Sequence, residues 1–409
     1  MNATDRAAAQ GSWGQILLIY VIGVLGATCI SQAVPVIGDI GRLFHASREQ
    51  GGWVISAPSA LVAIGALLTG WLVDRFGDRA LLLLGSAVVI VGDVGVTLAG
   101  TLQSLLAARV VEGVGYVCIA VASVTMMTRI THGPRRNSAL TLWSSFVPMS
   151  FAVPLVLAAQ LAGTDHWRWA FSGHALALAV FTVLALAVLP VADRATAPSR
   201  TQGLAQVLRS PQPWLLGVAF ASAAFLQTGV VSTLPHMLSG RFGVSLGAAS
   251  SIGTLGMVVN TLGCLAVGPM LNRSIAPLRV ATLGILLALV GGVALYYPGP
   301  AFALAVAASS VFFLGSGIVV GLWALMPRTA PAPTSIGATS GLVTQITLWG
   351  VLFGPPAAFA AQASGQWTRP ATNVVVACIL CLALLWVLAR RLGDAGSPGA
   401  ATRPAEAAR

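Results

Sequence analysis

Asp93, Arg109 and Glu112 each interrupt a long run of apolar side chains. A charge surrounded by hydrocarbon is expensive and nearly always faces a protein interior or a water-filled cavity, so each of these residues is a functional candidate by default. Arg109 and Glu112 are three residues apart, which on a helix places them on one face and lets them pair. Asp93 precedes the end of its apolar run by about eight residues and Glu112 follows the start of the next by about eight; at about 1.5 Å rise per residue their depths match. One cation between two carboxyls leaves one acid incompletely compensated, and that acid can bind and release a proton. The same residues also fit a structural ion pair that ties two helices together.

Other chemistry is poorly served. A nucleophile with a base, or a metal-ligand cluster, is not present, so catalysis, a metal and a cofactor are not expected. Cys29, Cys118, Cys264, Cys378 and Cys381 all lie in apolar runs, and the Cys378/Cys381 pair has no polar neighbours, which reads as inert buried thiols. All 22 basic residues are arginine. A phosphate loop of the GxxxxGK[ST] type needs a lysine, so nucleotide-driven work by this chain alone is excluded. Isolated polar residues in mid-run are Gln227, Asn260 and Gln345, which can hydrogen-bond a ligand or join helices. Trp143, Trp323 and Trp349 are candidates to line a cavity, whereas Trp53, Trp71, Trp167, Trp214 and Trp367 fall near run ends, where aromatic belts form. His174 and His236 read as satisfied or interfacial groups rather than catalytic ones.

The elements that must position these residues follow from composition. Of 409 residues, 56% are hydrophobic and only 8% charged, against about 25% charged in a soluble protein. A bilayer-spanning helix needs roughly 20 apolar residues. Charged or Pro/Gly-rich breaks delimit twelve such stretches, near 15–37, 51–72, 80–100, 104–127, 138–162, 169–190, 213–237, 246–270, 279–297, 300–325, 336–360 and 371–389. Apolar throughout rather than alternating, they predict helices and not barrel strands. The first is expected to be an uncleaved helix, since Met1 to Ser12 lacks a basic start and a cleavage site.

Arginines sort by loop. With the N-terminus in the cytoplasm, sixteen fall on that side, five (Arg42, Arg48, Arg168, Arg241 and Arg369) on the other, and Arg109 within a span. This bias predicts both termini in the cytoplasm. Scattered singly or in short groups, the arginines do not form a nucleic-acid footprint. The longest polar connection, 191–212, is expected to link an N-terminal six-helix bundle (1–190) to a C-terminal bundle with its tail (213–409). Gly70-Trp-Leu-Val-Asp74-Arg75 recurs as Gly268-Pro-Met-Leu-Asn272-Arg273 at an offset of 198, and Trp167/Arg168 is echoed by Trp367/Arg369 some 200 residues on.

Gly70, Asp74, Arg75, Gly77, Asp78 and Arg79 together resemble the signature loop between the second and third helices of the major facilitator superfamily. Arg109-Val-Val-Glu112-Gly113 resembles that family's second signature, in the fourth helix. The resemblance implies an all-α membrane fold of twelve transmembrane helices in two pseudo-symmetric six-helix bundles around a central cavity, and a loop that latches one gating state. Internal repeats of this kind are also common in secondary transporters, with the binding site at the repeat interface. Drug antiporters of the family carry a Gly-rich stretch ending in Gly-Pro in helix 5. Here only Pro148 and Pro154 remain, and the fuller form, Gly350-Val-Leu-Phe-Gly354-Pro355-Pro356, lies in helix 11; both read as helix-packing positions. Trp143 followed by Pro148 is also similar to permeases of the cyanate/nitroimidazole type.

The resemblance therefore implies alternating-access transport in a bacterial cytoplasmic membrane. Proton-coupled export of a small amphipathic molecule, such as a drug, metabolite or siderophore, is the first expectation, uptake of a small organic anion the second, and a non-transporting membrane sensor a remote third. Asp93, Arg109 and Glu112 are the expected proton-coupling residues; Gln227, Asn260, Gln345, Trp143 and Trp349 are the expected cavity residues. Partners are a small-molecule substrate, protons and the lipid bilayer, without nucleic acid, and the chain is expected to act as a monomer.

Overall fold

The computed structural model describes residues 11–132, 135, 138, 139, 142, 143, 145–190, 201–297, 301–332, 336–363, 365, 366 and 368–394. Among them, ten helices are long and apolar enough to cross a membrane. In the N-terminal half these are α1 (Trp13–Ser31), α4 (Asp78–Leu98), α5 (Leu102–Ile130) and α7 (Trp169–Val188). The short α2 (Ile37–Leu43), the 29-residue α3 (Arg48–Phe76) and α6 (Phe146–Leu157), continued by a 3-10 turn at Ala158–Leu161, complete that half. After α8 (Thr201–Arg209) come α9 (Pro211–Phe242), α10 (Leu246–Asn272), α11 (Pro277–Tyr296), α12 (Phe302–Ile318), α13 (Met326–Thr329), α14 (Ile336–Ala363) and α15 (Thr368–Asp394). A 3-10 stretch, Val319–Leu325, runs from α12 to α13.

Local chemistry sets the helix starts. Ser12 and Gln15, then Ser47 and Gln50, form reciprocal capping boxes, and Thr101 with Ser104 does the same for α5, satisfying backbone donors that a first helical turn leaves without partners. Pro211 and Pro277 occupy the first turn of α9 and α11, where a missing N–H costs nothing. Several bounds depart from the expected spans. The first helix ends at Ser31, not near 37, because Pro35 cannot continue the ladder, and α2 forms beyond it. The third helix runs the full length from Ser47 to Gly77, and α9 continues to Gly243, whose left-handed φ of 68° ends it. Of the expected linker, residues 191–200 lie outside the described residues, while 201–209 are helical.

Successive helices alternate in direction, giving a proximal face, which carries the start of α1 and the end of α15, and a distal face. Proximally, the Gly11 amide donates to the Ile130 carbonyl and the Gln15 amide side chain to the Val188 carbonyl. α1, α3, α4, α5, α6 and α7 pack on one another, as do α9 to α12, α14 and α15, and the two groups meet along α3 with α14 and α6 with α10. At the distal end of these seams the chains touch closely. A Cβ at Gly52 would sit 2.5 Å from Pro356 Cα, the Trp53 ring meets Phe353 edge-on at 6.0 Å, and Thr254 Oγ1 donates to the Ala152 carbonyl at 3.5 Å.

Candidate functional site

In the N-terminal half, α1, α4, α5 and α7 enclose a polar cluster. Asp93, Arg109 and Glu112 have zero exposure. Arg109 pairs with Glu112 Oε2 one helical turn away, as the three-residue spacing requires. Arg109 Nε donates to the Val54 carbonyl of α3 at 3.0 Å, and the guanidinium lies 5.6 Å from the Phe171 ring centroid, a cation–π contact. Glu112 Oε1 and Arg109 Nη2 are buried without a hydrogen-bond partner.

Asp93 is not held by Arg109 directly. It sits five residues before the end of α4, where Oδ1 accepts from Gln32 Nε2 at 2.8 Å and Oδ2 lies 2.7 Å from His174 Nδ1. His174 Nε2 lies 2.8 Å from the Leu25 carbonyl of α1. The expected triad is therefore part of a five-residue network in which Glu112 neighbours Asp93 and the added members are Gln32 and His174. His174 is satisfied, as expected, but by an ionisable partner. The overlooked signal was an ionisable side chain within an apolar helix, the same criterion that singled out Asp93.

The two halves build this region in one way with different residues. In the N-terminal half α4 and α5 cross at glycines: a Cβ at Gly85 would lie 2.7 Å from the Gly115 carbonyl oxygen, and one at Gly92 would lie 3.0 Å from that of Ala108. In the C-terminal half α11 and α12 cross likewise: a Cβ at Gly284 would lie 2.7 Å from the Gly315 carbonyl oxygen, and one at Gly291 would lie 2.7 Å from that of Ala308. The offset is 199 residues on the first helix of each pair and 200 on the second. Carried across, Arg109 corresponds to Ser309, Glu112 to Phe312, Asp93 to Gly292 and His174 to Val374. The counterpart contact exists: a Cβ at Gly292 would lie 2.7 Å from Val374 and 3.2 Å from Phe312. Close helix crossing through small residues thus occurs in both halves, and charges occupy it in only one.

At the proximal face, Gly77 is the whole connection between α3 and α4, with φ 91° and ψ 149°, a conformation essentially restricted to glycine. Asp78 starts α4, accepts from the Arg79 amide at 2.7 Å, and takes Arg129 Nε and Nη2 of α5 at 2.7 and 3.0 Å. Arg79 reaches the Leu186 carbonyl of α7 at 2.5 Å. Arg75 is exposed, with its guanidinium 5.7 Å from the Phe76 ring centroid. Gly70 and Asp74 fall in α3, but their side chains lie outside the described residues.

The amides and tryptophans separate. Asn260 is buried and donates to the Phe313 carbonyl at 3.0 Å and to Ser316 Oγ at 2.8 Å, so its amide joins α10 to α12 rather than facing a cavity. Gln345 is half-buried with Oε1 unpartnered, and Gln227 is half-buried in α9. Trp349, 40% exposed, stacks on Phe353 and lines a cleft with Phe225 and Asn373 between α9, α14 and α15. Trp143 stacks on Phe146 at 4.3 Å and lies against Gly23 of α1, which makes it a packing residue. Pro154 lies within α6. Pro355 lies within α14, eight residues before its distal end, where its carbonyl carbon approaches Gly52. Gly350 and Gly354 let α14 approach α9, since Cβ atoms there would run into the Ala221 and Phe225 carbonyl oxygens. His236 is half-buried in α9, with neither ring nitrogen hydrogen-bonded among the described residues and its ring 6.3 Å from that of Phe359.

The comparisons with known proteins bear on the whole chain. Over 94% of its length it superposes on 99% of a bacterial homolog of the human lysosomal transporter Spinster, with a TM-score of 0.79 and 17% identity. Among curated proteins it is 30% identical to an uncharacterized MFS-type transporter of Mycobacterium tuberculosis over 178 residues, 44% of this chain and 30% of that protein. It is likewise 30% identical to the multidrug export protein EmrB of Haemophilus influenzae over 149 residues, 36% of this chain and 28% of that one. The arabinose-proton symporter of Escherichia coli is 26% identical over 165 residues, 40% of this chain and 34% of the symporter. The chain thus matches about a third of the length of these relatives. The Major Facilitator Superfamily model matches residues 16–355, and the chain, with its multi-pass helical fold in two bundles, belongs to the Major Facilitator Superfamily.

Proposed function

We propose that this protein exports a small amphipathic molecule, such as a drug, metabolite or siderophore, in exchange for protons, by alternating access across a bacterial cytoplasmic membrane with both termini in the cytoplasm. The observation that carries the reading is that the buried acids, among the described residues, all lie in one half. Arg109 leaves Glu112 Oε1 without a donor. An orphaned carboxylate oxygen in a low-dielectric site is costly, and proton binding relieves that cost. The corresponding region of the other half carries no charge, with Gly292, Ser309, Phe312 and Val374. Proton handling by the N-terminal half and contact with an apolar substrate by Phe225, Trp349, Phe353 and the half-buried Gln227 and Gln345 divide the work accordingly.

Similarity to multidrug export and fatty acid resistance proteins supports export of amphipathic compounds. Similarity to the arabinose-proton symporter supports the second reading, proton-coupled uptake, here of a small organic anion. Both share the coupling residues and differ in direction.

The test uses inside-out vesicles with an acid interior and ethidium as an amphipathic probe. Wild-type vesicles should accumulate ethidium against its gradient; Glu112→Gln, which preserves shape and hydrogen bonding, should lose accumulation but keep binding. Accumulation of an organic anion such as benzoate in right-side-out vesicles under an inward proton gradient, above that of vesicles without the protein and with no movement of ethidium, supports uptake instead. Reporter tags at both ends and within 191–212 should all be cytoplasmic.

A further inference from the structure

We infer that Asp93 and His174 together form a proton-binding site, with the proton held on the line between His174 Nδ1 and Asp93 Oδ2. The argument rests on hydrogen-bond bookkeeping. His174 Nε2 faces a backbone carbonyl 2.8 Å away, which can only accept, so Nε2 carries a hydrogen. Nδ1 faces a carboxylate oxygen 2.7 Å away. That distance requires a second hydrogen, whether written as imidazolium with carboxylate or as imidazole with carboxylic acid. Asp93 Oδ1 already accepts from Gln32, which leaves Oδ2 for this contact.

The charges that face the pair agree. Around His174 and Asp93, α5 brings Arg109 and Glu112, α1 brings Cys29 and the Leu25 carbonyl, and α3 brings the Val54 carbonyl to Arg109. With the proton present, two cations and two carboxylates, or one of each with a neutral acid and imidazole, sum to zero. Release carries the proton to water on whichever side is open. The electron pair stays behind, two lone pairs then oppose one another at 2.7 Å, and an uncompensated negative charge is left in the bundle. Contact between α7, α4 and α1 therefore depends on the proton.

The opposite half shows that this packing does not need the charges. At the corresponding positions Gly292 and Val374 make the equivalent contact, beside Phe312 where Glu112 stands. Buried ion pairs are commonly replaceable by apolar residues without loss of stability. The C-terminal half is such a replacement within the same chain.

The inference deepens the proton-coupled reading, but its test needs no substrate. Purified full-length protein in detergent is titrated between about pH 9 and pH 5, and bound protons are counted for wild type, Asp93→Asn, His174→Gln and the double variant Asp93→Gly/His174→Val, which copies the other half. Each variant should take up one proton fewer than wild type. The double variant should lose no more than either single one, because the pair holds one proton. Equal uptake by wild type and all variants means a permanently charged structural pair and overturns the inference. So does a proton missing from Glu112→Gln, titrated in parallel, but from none of these variants, which leaves the transport reading intact. Failure of wild-type vesicles to move ethidium or benzoate under a pH gradient defeats the transport reading without touching the proton count.

Discussion

Arg109 is the residue on which the buried cluster depends. Its side chain compensates Glu112, binds the Val54 carbonyl and covers Phe171. Arg109→Ala should cost roughly 3–5 kcal/mol, since it leaves a buried carboxylate without its cation. Glu112→Gln should cost less. Thermal melting followed by tryptophan fluorescence orders the two variants, and equal melting of Arg109→Ala and wild type contradicts the pairing. The Arg109–Glu112 contact was readable from sequence because both partners lie on one helix, where spacing alone fixes the face. The partners of Asp93 were not. Gln32 and His174 lie 61 and 81 residues away, and contact depends on the rotation of α1 and α7 about their own axes. Both helices are apolar nearly all round, so no amphipathic pattern tells which side faces inward. Asn260 shows the reverse problem: an amide in a membrane helix looks the same in sequence whether it meets a ligand or, as here, Phe313 and Ser316.

Helices and their ends were more legible than their contacts. Capping boxes at Ser12 and Ser47 and first-turn prolines at Pro211 and Pro277 are local chemistry, and the observed helices start there. α2, with seven residues, is shorter than any span-length pattern and lies beyond the first expected span, 15–37, sharing only Ile37 with it. The proximal loop was visible as a motif, but its partners Arg129 and Leu186 come from α5 and α7. Asp78→Asn should destabilise the protein by about 1 kcal/mol, a modest loss because Arg129 is partly exposed and screened by solvent. Asp74→Asn and Arg75→Ala should instead cripple transport while membrane protein levels hold. Blotting beside the vesicle assay separates abundance from activity, and full activity in both variants reduces this stretch of α3 to an ordinary helix end.

At the scale of the molecule, the repeat was readable as two short echoes, whereas its reach was not: matched glycine crossings at offsets of 199 and 200 became visible only once α4 with α5 and α11 with α12 could be laid side by side. The halves meet distally through Gly52, Trp53, Phe353 and Pro356. Joining Trp53→Cys to Phe353→Cys with a short bifunctional thiol reagent should stop ethidium movement, and cleavage of the linker should restore it. The five native cysteines are all buried. Unimpeded transport in the joined protein requires that this contact never opens. Gly77 bears on how it opens. As the only residue between α3 and α4, it gives the connection no slack, so tilting of α3 against α4 passes through a single fulcrum. Gly52 lies 25 residues along α3 from that point, a lever arm of about 37 Å at 1.5 Å per residue. A swing of roughly 10° at Gly77 moves the distal tip by about 6 Å, enough to admit water between the halves, given that arm length. Gly77→Ala, forced into a conformation that costs about 1–3 kcal/mol for a residue with a Cβ, should stiffen the fulcrum and slow turnover more than it weakens ethidium binding, a difference that paired flux and binding measurements resolve.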